Sequence, residues 1–277
     1  MKAKSYGAGT IINALAMNFG SAFALDLKIR LKLRVEDELK ENIIIDGDRE
    51  ARDKILDEIL SRFNLKAAVE VKSDIPRASG LGSSSAFINA LLVSIFKYLN
   101  RKLTAHEILR LNSKISLDVG ISYTGAFDDA SASLLGGIVV TNNRDMKLMR
   151  WEFRRSKALV LIPNWSRKEI DLKKIRKEND IIKKALRLAL EGDYKHAMFY
   201  NSIYYCKKIG YPFEVIREVS DLDCFCGLSG NGPCYVAFGK GLKEVKGIWE
   251  KYGRVIKTRV VCEPCDRVII TPDLFNS

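Results

Sequence analysis

The sequence predicts an α+β protein, and three observations carry that prediction. In the stretch "FALDLKIRLKLRVE" the residues Phe23, Leu25, Leu27, Ile29, Leu31, Leu33 and Val35 alternate with mostly charged neighbours. This is the pattern of a strand with one face buried and the other in water. Other stretches repeat apolar residues three and four apart, as helices do. The two kinds of stretch are interleaved irregularly, without the steady βαβ alternation of a doubly wound parallel sheet.

The elements follow in order. "NIIIDG" is a short strand ending in a turn, and from Asp48 to Phe63 the residues Ala51, Ile55, Ile59, Leu60 and Phe63 have helical spacing. "AAVEVK" is a strand that runs into a stretch of small residues and then a helix from Ser83 to Leu99. Thr104 and Glu107 form a capping-box pair that opens a helix to about Ile115. "GGIVVTNNRDMKLMRWEF" is a hairpin turning at Asn142-Asn143, and "KALVLIP" is a strand. Helices are expected over Lys173 to Glu191 and Asp193 to Lys207, with a shorter one opened by Pro212. "CFCGLSGNGPCYVAFG" is strand, glycine loop and strand; "LKEVKGIWEKY" is helical and "RVIKTRVV" a final strand. A boundary near residue 155 divides the chain into domains 1–155 and 156–277.

Composition bounds the function. A chain of 277 residues, 47% hydrophobic and 29% charged, is large enough for two cores and is not a disordered protein. No apolar run approaches the ~20 residues that span a bilayer. The start, "MKAKSYGAGTIINALAMNF", puts lysines before an apolar stretch, but Gly7, Gly9 and Asn13 interrupt it and it lacks a convincing cleavage site. A cytoplasmic location is expected. Lys and Arg outnumber Asp and Glu by 46 to 34, a net charge of +12 that suits anionic partners. The densest basic run, Ser166 to Arg187, carries Ile175, Ile182, Leu186 and, just beyond it, Leu190 at helical spacing. The acids Glu169, Asp171, Glu178 and Asp180 break up its charge, so it reads as a solvated helix face rather than a nucleic-acid patch. The six cysteines lie between Cys206 and Cys265; the Cys224–Cys226 pair has a single spacer, which zinc sites disfavour, so free buried thiols or a disulfide are expected. His106 and His196 are isolated.

Three stretches carry chemistry. In "PRASGLGSSSA", Gly80 and Gly82 flank Leu81 and allow a tight bend, and Ser83, Ser84 and Ser85 fill a first helical turn. Amides there have no intrahelical partner and, with the helix dipole, form an anion site. The plain alternative is a capped turn before a core helix. The stretch lacks the Gly-Lys-Ser/Thr of a Walker loop and the third glycine of a dinucleotide fingerprint. "GLSGNGP" places Gly227, Gly230 and Gly232 around Asn231, more glycine than a hairpin requires, which suggests close backbone approach to a ligand. "TGAFDDASASLLGG" holds adjacent Asp128 and Asp129, either a solvated pair at a helix start or carboxylates that accept a hydroxyl proton.

These stretches, in this order, resemble the GHMP kinases, the family of galactokinase, homoserine kinase and mevalonate kinase. "PRASGLGSSSA" is similar to the family's phosphate loop and "GLSGNGP" to its C-terminal glycine motif. Within the family, "GAGTIINALAMNFGSAFALDLKI" and "TGAFDDA" most resemble the archaeal-type shikimate kinases. The N-terminal Gly-Glu-His type of signature found in many members is absent, which argues against galactokinase or mevalonate kinase and leaves the role of Lys4 open.

The resemblance implies a two-domain fold with a ribosomal-protein-like N-terminal half and a ferredoxin-like C-terminal half. It implies ATP between them, its phosphates on Gly80 to Ser85 and on Gly230, Asn231 and Gly232, and Mg²⁺ at Ser84. Counted back from Gly136-Gly137, Asp129 fits the family's base, with Asp128 as the alternative; Asp118 falls in the register of a metal-binding acid. The expected acceptor is a small anionic hydroxyl compound, shikimate, lined by Asn13, Ser21, Asp26 and Thr124, within or near the segment Thr10 to Asp26. A loop feeding the following strand is the plain reading of that segment. A basic residue is expected to clamp the acceptor carboxylate, with Lys4 and Arg77 nearest the motifs. Homoserine as acceptor, or a non-catalytic sensor on the same fold, are the alternatives. No nucleic-acid or membrane partner is expected, and the protein is expected to be a monomer or homodimer.

Overall fold

The computed structural model describes residues 1–36, 38–46, 49–51, 53–177 and 179–275. Its spine is an antiparallel hairpin of β1 (Lys2–Ile12) and β2 (Phe19–Val35), in register from Lys2↔Lys32 to Ile12↔Ser21. β1 is a strand that alternation does not reveal, because Ser5 to Ile12 are all buried and both faces are covered. The segment Thr10 to Asp26 is therefore two strand ends joined by a short turn rather than a loop. The far edge of β2 is shared in succession by β6 (Ile138–Asn142) along Phe19 to Phe23, by β11 (Gly253–Val260) at Leu25, and by β5 (Ala67–Ser73) along Ile29 to Val35.

Beyond β5 the sheet adds β3 (Ile43–Asp46), parallel to it, and β4 (Arg49–Ala51). The helix expected from Asp48 starts later, as α1 (Lys54–Arg62), and Ala51 belongs to a strand. Asp53 sets the start, its carboxylate accepting from the amides of Ile55 (2.8 Å) and Leu56 (3.1 Å). Asp48 lies outside the described residues.

α2 (Ser83–Tyr98) packs on β1 and β2 beside α3 (Ala105–Asp118) and α4 (Phe127–Leu135). Every residue from Ser85 to Phe96 is buried, so α2 is a core helix surrounded on all sides. Thr104 stands at the N-cap position of α3, but the capping box is missing: its hydroxyl caps no helix amide and donates to the Glu107 carboxylate at 3.4 Å. Glu107 pairs with Arg101, and the Ala105 amide is satisfied by the Ile269 carbonyl at 2.8 Å. The expected hairpin is β6 and β7 (Lys147–Glu152), turning over Asn143 to Met146.

The boundary expected at 155 falls between β7 and β8 (Ser156–Pro163). The helix expected over Lys173 to Glu191 is two, α5 (Leu172–Ile175) and α6 (Asp180–Glu191); Glu178, between them, lies outside the described residues. α7 (Tyr194–Ile209) ends at Gly210, and α8 (Glu214–Arg217) follows Pro212. β9 (Cys224–Leu228), β10 (Tyr235–Gly239), α9 (Leu242–Trp249) and β11 complete the chain's second half. Its strands run β11-β8-β10-β9, all antiparallel, which is the ferredoxin-like order. The pairing Val260↔Leu25 joins this half to the first in one sheet of eleven strands among the described residues.

The basic run is a solvated face: Ile175 and Ile182 are buried while Lys183 turns outward to Asp180. All six thiols are free, and five of them are buried. No described helix is long and apolar enough to cross a membrane.

Candidate active site

A cleft of ≈ 580 Å³ is lined by residues of all three glycine- and acid-bearing stretches. At its floor is the start of α2. Gly82, in the left-handed region at φ 65°, is the N-cap; it supplies no side-chain cap, and no acid occupies the first turn. The amides of Ser83, Ser84 and Ser85 and the positive end of the helix are therefore left for a ligand. Ser84 is exposed to the cleft and Ser85 is buried. The buried Leu81 ties the loop down, its carbonyl accepting from the Ala8 amide at 2.9 Å. Two alanines at the cleft, Ala78 (φ 53°) and Ala126 (φ 48°), adopt left-handed backbone that costs about 1–3 kcal/mol each and clusters at functional sites.

The glycines also have a cause that the sequence does not suggest: the two glycine loops approach each other. A Cβ on Gly80 would lie 2.3 Å from the Ser229 carbonyl oxygen, and one on Gly230 2.9 Å from that of Gly80. The Ser229 hydroxyl donates to the Gly80 carbonyl (2.9 Å), and the Gly230 amide donates to the Thr10 hydroxyl (2.7 Å). Asn13 closes the corner, its side-chain amide donating to the Gly230 carbonyl and to Asn231 Oδ1, both at 2.8 Å.

Both aspartates sit in the first turn of α4, as a helix-start pair would, but neither faces open water. Asp128 is buried, packed over Gly20 so closely that a Cβ there would overlap its carboxylate. Its Oδ1 accepts from Asn143 Nδ2 at 2.9 Å. The Thr141 hydroxyl donates to Asn143 Oδ1 (2.6 Å), which fixes the orientation of that amide; Thr124 Oγ1 lies 3.5 Å from the same Nδ2. Burial pushes the Asp128 pKa up, and the Asn143 hydrogen bond opposes it. Asp129 is half-buried and has no hydrogen-bond or ion-pair partner among the described residues. Its Cβ lies 3.5 Å from where a side chain on Gly82 would begin, so it borders the Gly80–Ser85 loop. Burial first, and then the charge of Asp128, hold its pKa well above the usual carboxylate range.

Of the residues expected from sequence, Asn13, Thr124, Gly80 to Ser85, Gly230, Asn231, Asp128 and Asp129 line this cleft. Four lie elsewhere. Ser21 is buried in the sheet, its hydroxyl donating to the Val139 carbonyl at 2.8 Å. Asp26 is paired with Lys28 (2.6 Å) and Arg259 (2.8 Å) on β2, beyond the cleft. Asp118, the last residue of α3, turns outward to Arg62 at 2.5 Å, while its neighbours Ser116 and Gly120 face the cleft. Gly232 packs against the Tyr211 ring behind the loop. Neither candidate clamp lines the cleft: Arg77 pairs with Asp46 at 2.5 Å, and Lys4 is exposed on β1. Sequence reasoning reached Thr10 only as the end of a segment, and missed Asn143, Arg167 and Lys168. The last two belong to the basic run, and only the turn after β8 brings them to the cleft.

The family model for the GHMP kinases N-terminal domain matches residues 50–137. A shikimate kinase of Archaeoglobus fulgidus is 45% identical over 278 residues, covering 100% of this chain and 98% of that one. One from Methanocella arvoryzae is 38% identical, covering 94% and 93%. Among solved structures, a mevalonate kinase superposes with a TM-score of 0.72 at 17% identity, covering 95% of this chain and 100% of that one. A putative homoserine kinase from Listeria monocytogenes superposes with a TM-score of 0.67 at 17% identity, covering 95% and 97%. These two establish the fold, and the full-length relatives go further: the chain belongs to the GHMP kinases, in the group that contains these archaeal shikimate kinases.

Proposed function

We propose that the protein is an ATP-dependent shikimate kinase in which Asp129 receives the proton of the acceptor hydroxyl. The acceptor rests on the identity to shikimate kinases across the whole chain. The role of Asp129 rests on one observation: a partnerless carboxylate of raised pKa bordering an uncapped helix N-terminus. The acceptor oxygen forms its bond to the γ-phosphorus as the bond to the β–γ bridging oxygen breaks; ADP leaves and the proton passes to an Asp129 oxygen. Such a transfer asks mainly for positioning and electrostatics, so a site without His or Cys is sufficient.

The Ser83, Ser84 and Ser85 amides hold and orient the phosphate oxygens, and Asn143 keeps Asp128 in place beneath Asp129. The Ser84 hydroxyl, a hard oxygen donor at the loop and exposed to the cleft, fits Mg²⁺ held jointly with phosphate oxygens. Bound there with ATP, the ion would neutralise phosphate charge. Asp128 is less suited as the base, because its carboxylate already accepts from Asn143. The reading places the enzyme in the cytoplasm, as a monomer or homodimer without nucleic-acid or membrane partners.

ATP consumption measured over a panel of shikimate, homoserine and mevalonate tests the acceptor. Turnover with shikimate is expected; turnover of homoserine without shikimate would sink the proposal.

A further inference from the structure

We propose that Arg167 is the anchor for the acceptor's carboxylate, and so the residue that selects an anionic hydroxyl compound over a neutral one. The inference rests on the reading above, that the acceptor is a carboxylate. Although the chain holds 46 lysines and arginines, only Arg167 and Lys168 line the cleft among the described residues. The carboxylates there, Asp128, Asp129 and Glu169, would repel an anionic acceptor, which therefore needs a cation to be held among them.

Lys168 is already committed. Its ammonium donates to the Gly210 carbonyl and lies 5.5 Å from the centre of the Tyr211 ring. Its amide donates to the Tyr211 hydroxyl (2.8 Å), which donates in turn to the Asn231 carbonyl (3.3 Å). Lys168 thus pins its segment to the C-terminal glycine loop and presents its neighbour at the cleft. Arg167 is exposed, with no acceptor for its guanidinium among the described residues. The other basic groups nearby are spent: Arg176 donates to the Leu15 carbonyl (3.4 Å) and Arg77 pairs with Asp46.

Two neutral side-chain amides at the site are already engaged. The Asn13 side-chain amide is taken by Gly230 and Asn231, and that of Asn143 by Asp128. The phosphates have their own donors in the α2 amides. A guanidinium fork matches a carboxylate with two parallel hydrogen bonds, which an ammonium does not supply.

The test is steady-state kinetics of the wild type, Arg167→Gln and Arg167→Lys, with shikimate and ATP varied separately and shikimate methyl ester as a second acceptor. Arg167→Gln is expected to raise the KM for shikimate about 10- to 100-fold, the weight of a charge-assisted hydrogen bond, with the KM for ATP unchanged. The methyl ester is expected to be used equally by wild type and Arg167→Gln, and Arg167→Lys to recover part of the loss. An unchanged KM for shikimate overturns the proposal, as does a rise confined to ATP, which would assign Arg167 to phosphate. A wild type that ignores shikimate but phosphorylates another hydroxy acid overturns the acceptor's identity alone. The KM effect of Arg167→Gln on that acid then decides the anchor separately.

Discussion

Asp128 and Asp129 are adjacent in the chain, yet their surroundings differ. One is clamped by Asn143 over Gly20, and the other is left open beside the phosphate loop. Asp129→Asn is expected to cut kcat by ~10² or more while ATP binding, followed by calorimetric titration, persists. The same substitution is expected to raise the melting temperature of the ligand-free protein at neutral pH. The carboxyl's folded pKa lies above its unfolded value, so the folded state binds more protons between the two. Stability is then lost as pH rises through that window, and the neutral amide removes the loss. With Asp129 as the proposed base, activity is expected to have the opposite dependence, since the ionised form would accept the proton: kcat/KM is expected to fall as pH drops through the raised pKa. Asp128→Asn takes away the neighbouring charge that contributes to the raised value, so the acidic limb of the pH–rate profile is expected to move to lower pH. A limb that stays put or moves up would show that the two carboxyls do not interact.

At the scale of elements, α2 combines a fully packed body with a bare first turn. Ser83→Asp would supply the missing acid next to the dipole, worth about 0.3–1 kcal/mol to the free protein. It would also set a negative charge against the incoming phosphates. Higher thermal stability with a raised KM for ATP is the expected pair of results, and a lowered KM would contradict the role given to this turn. Legibility in the sequence also divides at this scale. The residues of β2, α2 and the three motif stretches could be read because their pattern is local: alternation, helical spacing, or a loop of fixed spacing. β1 could not, because covering both faces erases alternation. Asp118 matched a register and Asp26 the end of a candidate segment, but neither placement carries an orientation; the side chains turn to Arg62 and Arg259 instead of the cleft. Arg167 was hidden for the opposite reason, one cation in a basic run, distinguished only by where the turn after β8 leads.

For the whole molecule, a net charge of +12 coexists with a cleft whose lining holds three acids and two cations. The surrounding field attracts ATP and an anionic acceptor, so kcat/KM for both is expected to fall with rising ionic strength while kcat changes little, as initial rates across a salt series would show. Among the contacts that join the halves are the pairing Val260↔Leu25 in the sheet and, second, the Gly80–Ser229–Gly230–Thr10 contacts at the cleft. The second junction bears on how the enzyme comes into being. A ribosome that has delivered residues 1–155 has already produced the phosphate loop and both aspartates, but not the partner against which Gly80 closes. Nascent chains halted before Gly227 are therefore expected to gain no protection from protease on adding ATP, and completed chains to gain it. Nucleotide capture would then be a late event in the life of each molecule, guarding unfinished chains from occupying ATP they have no means to use.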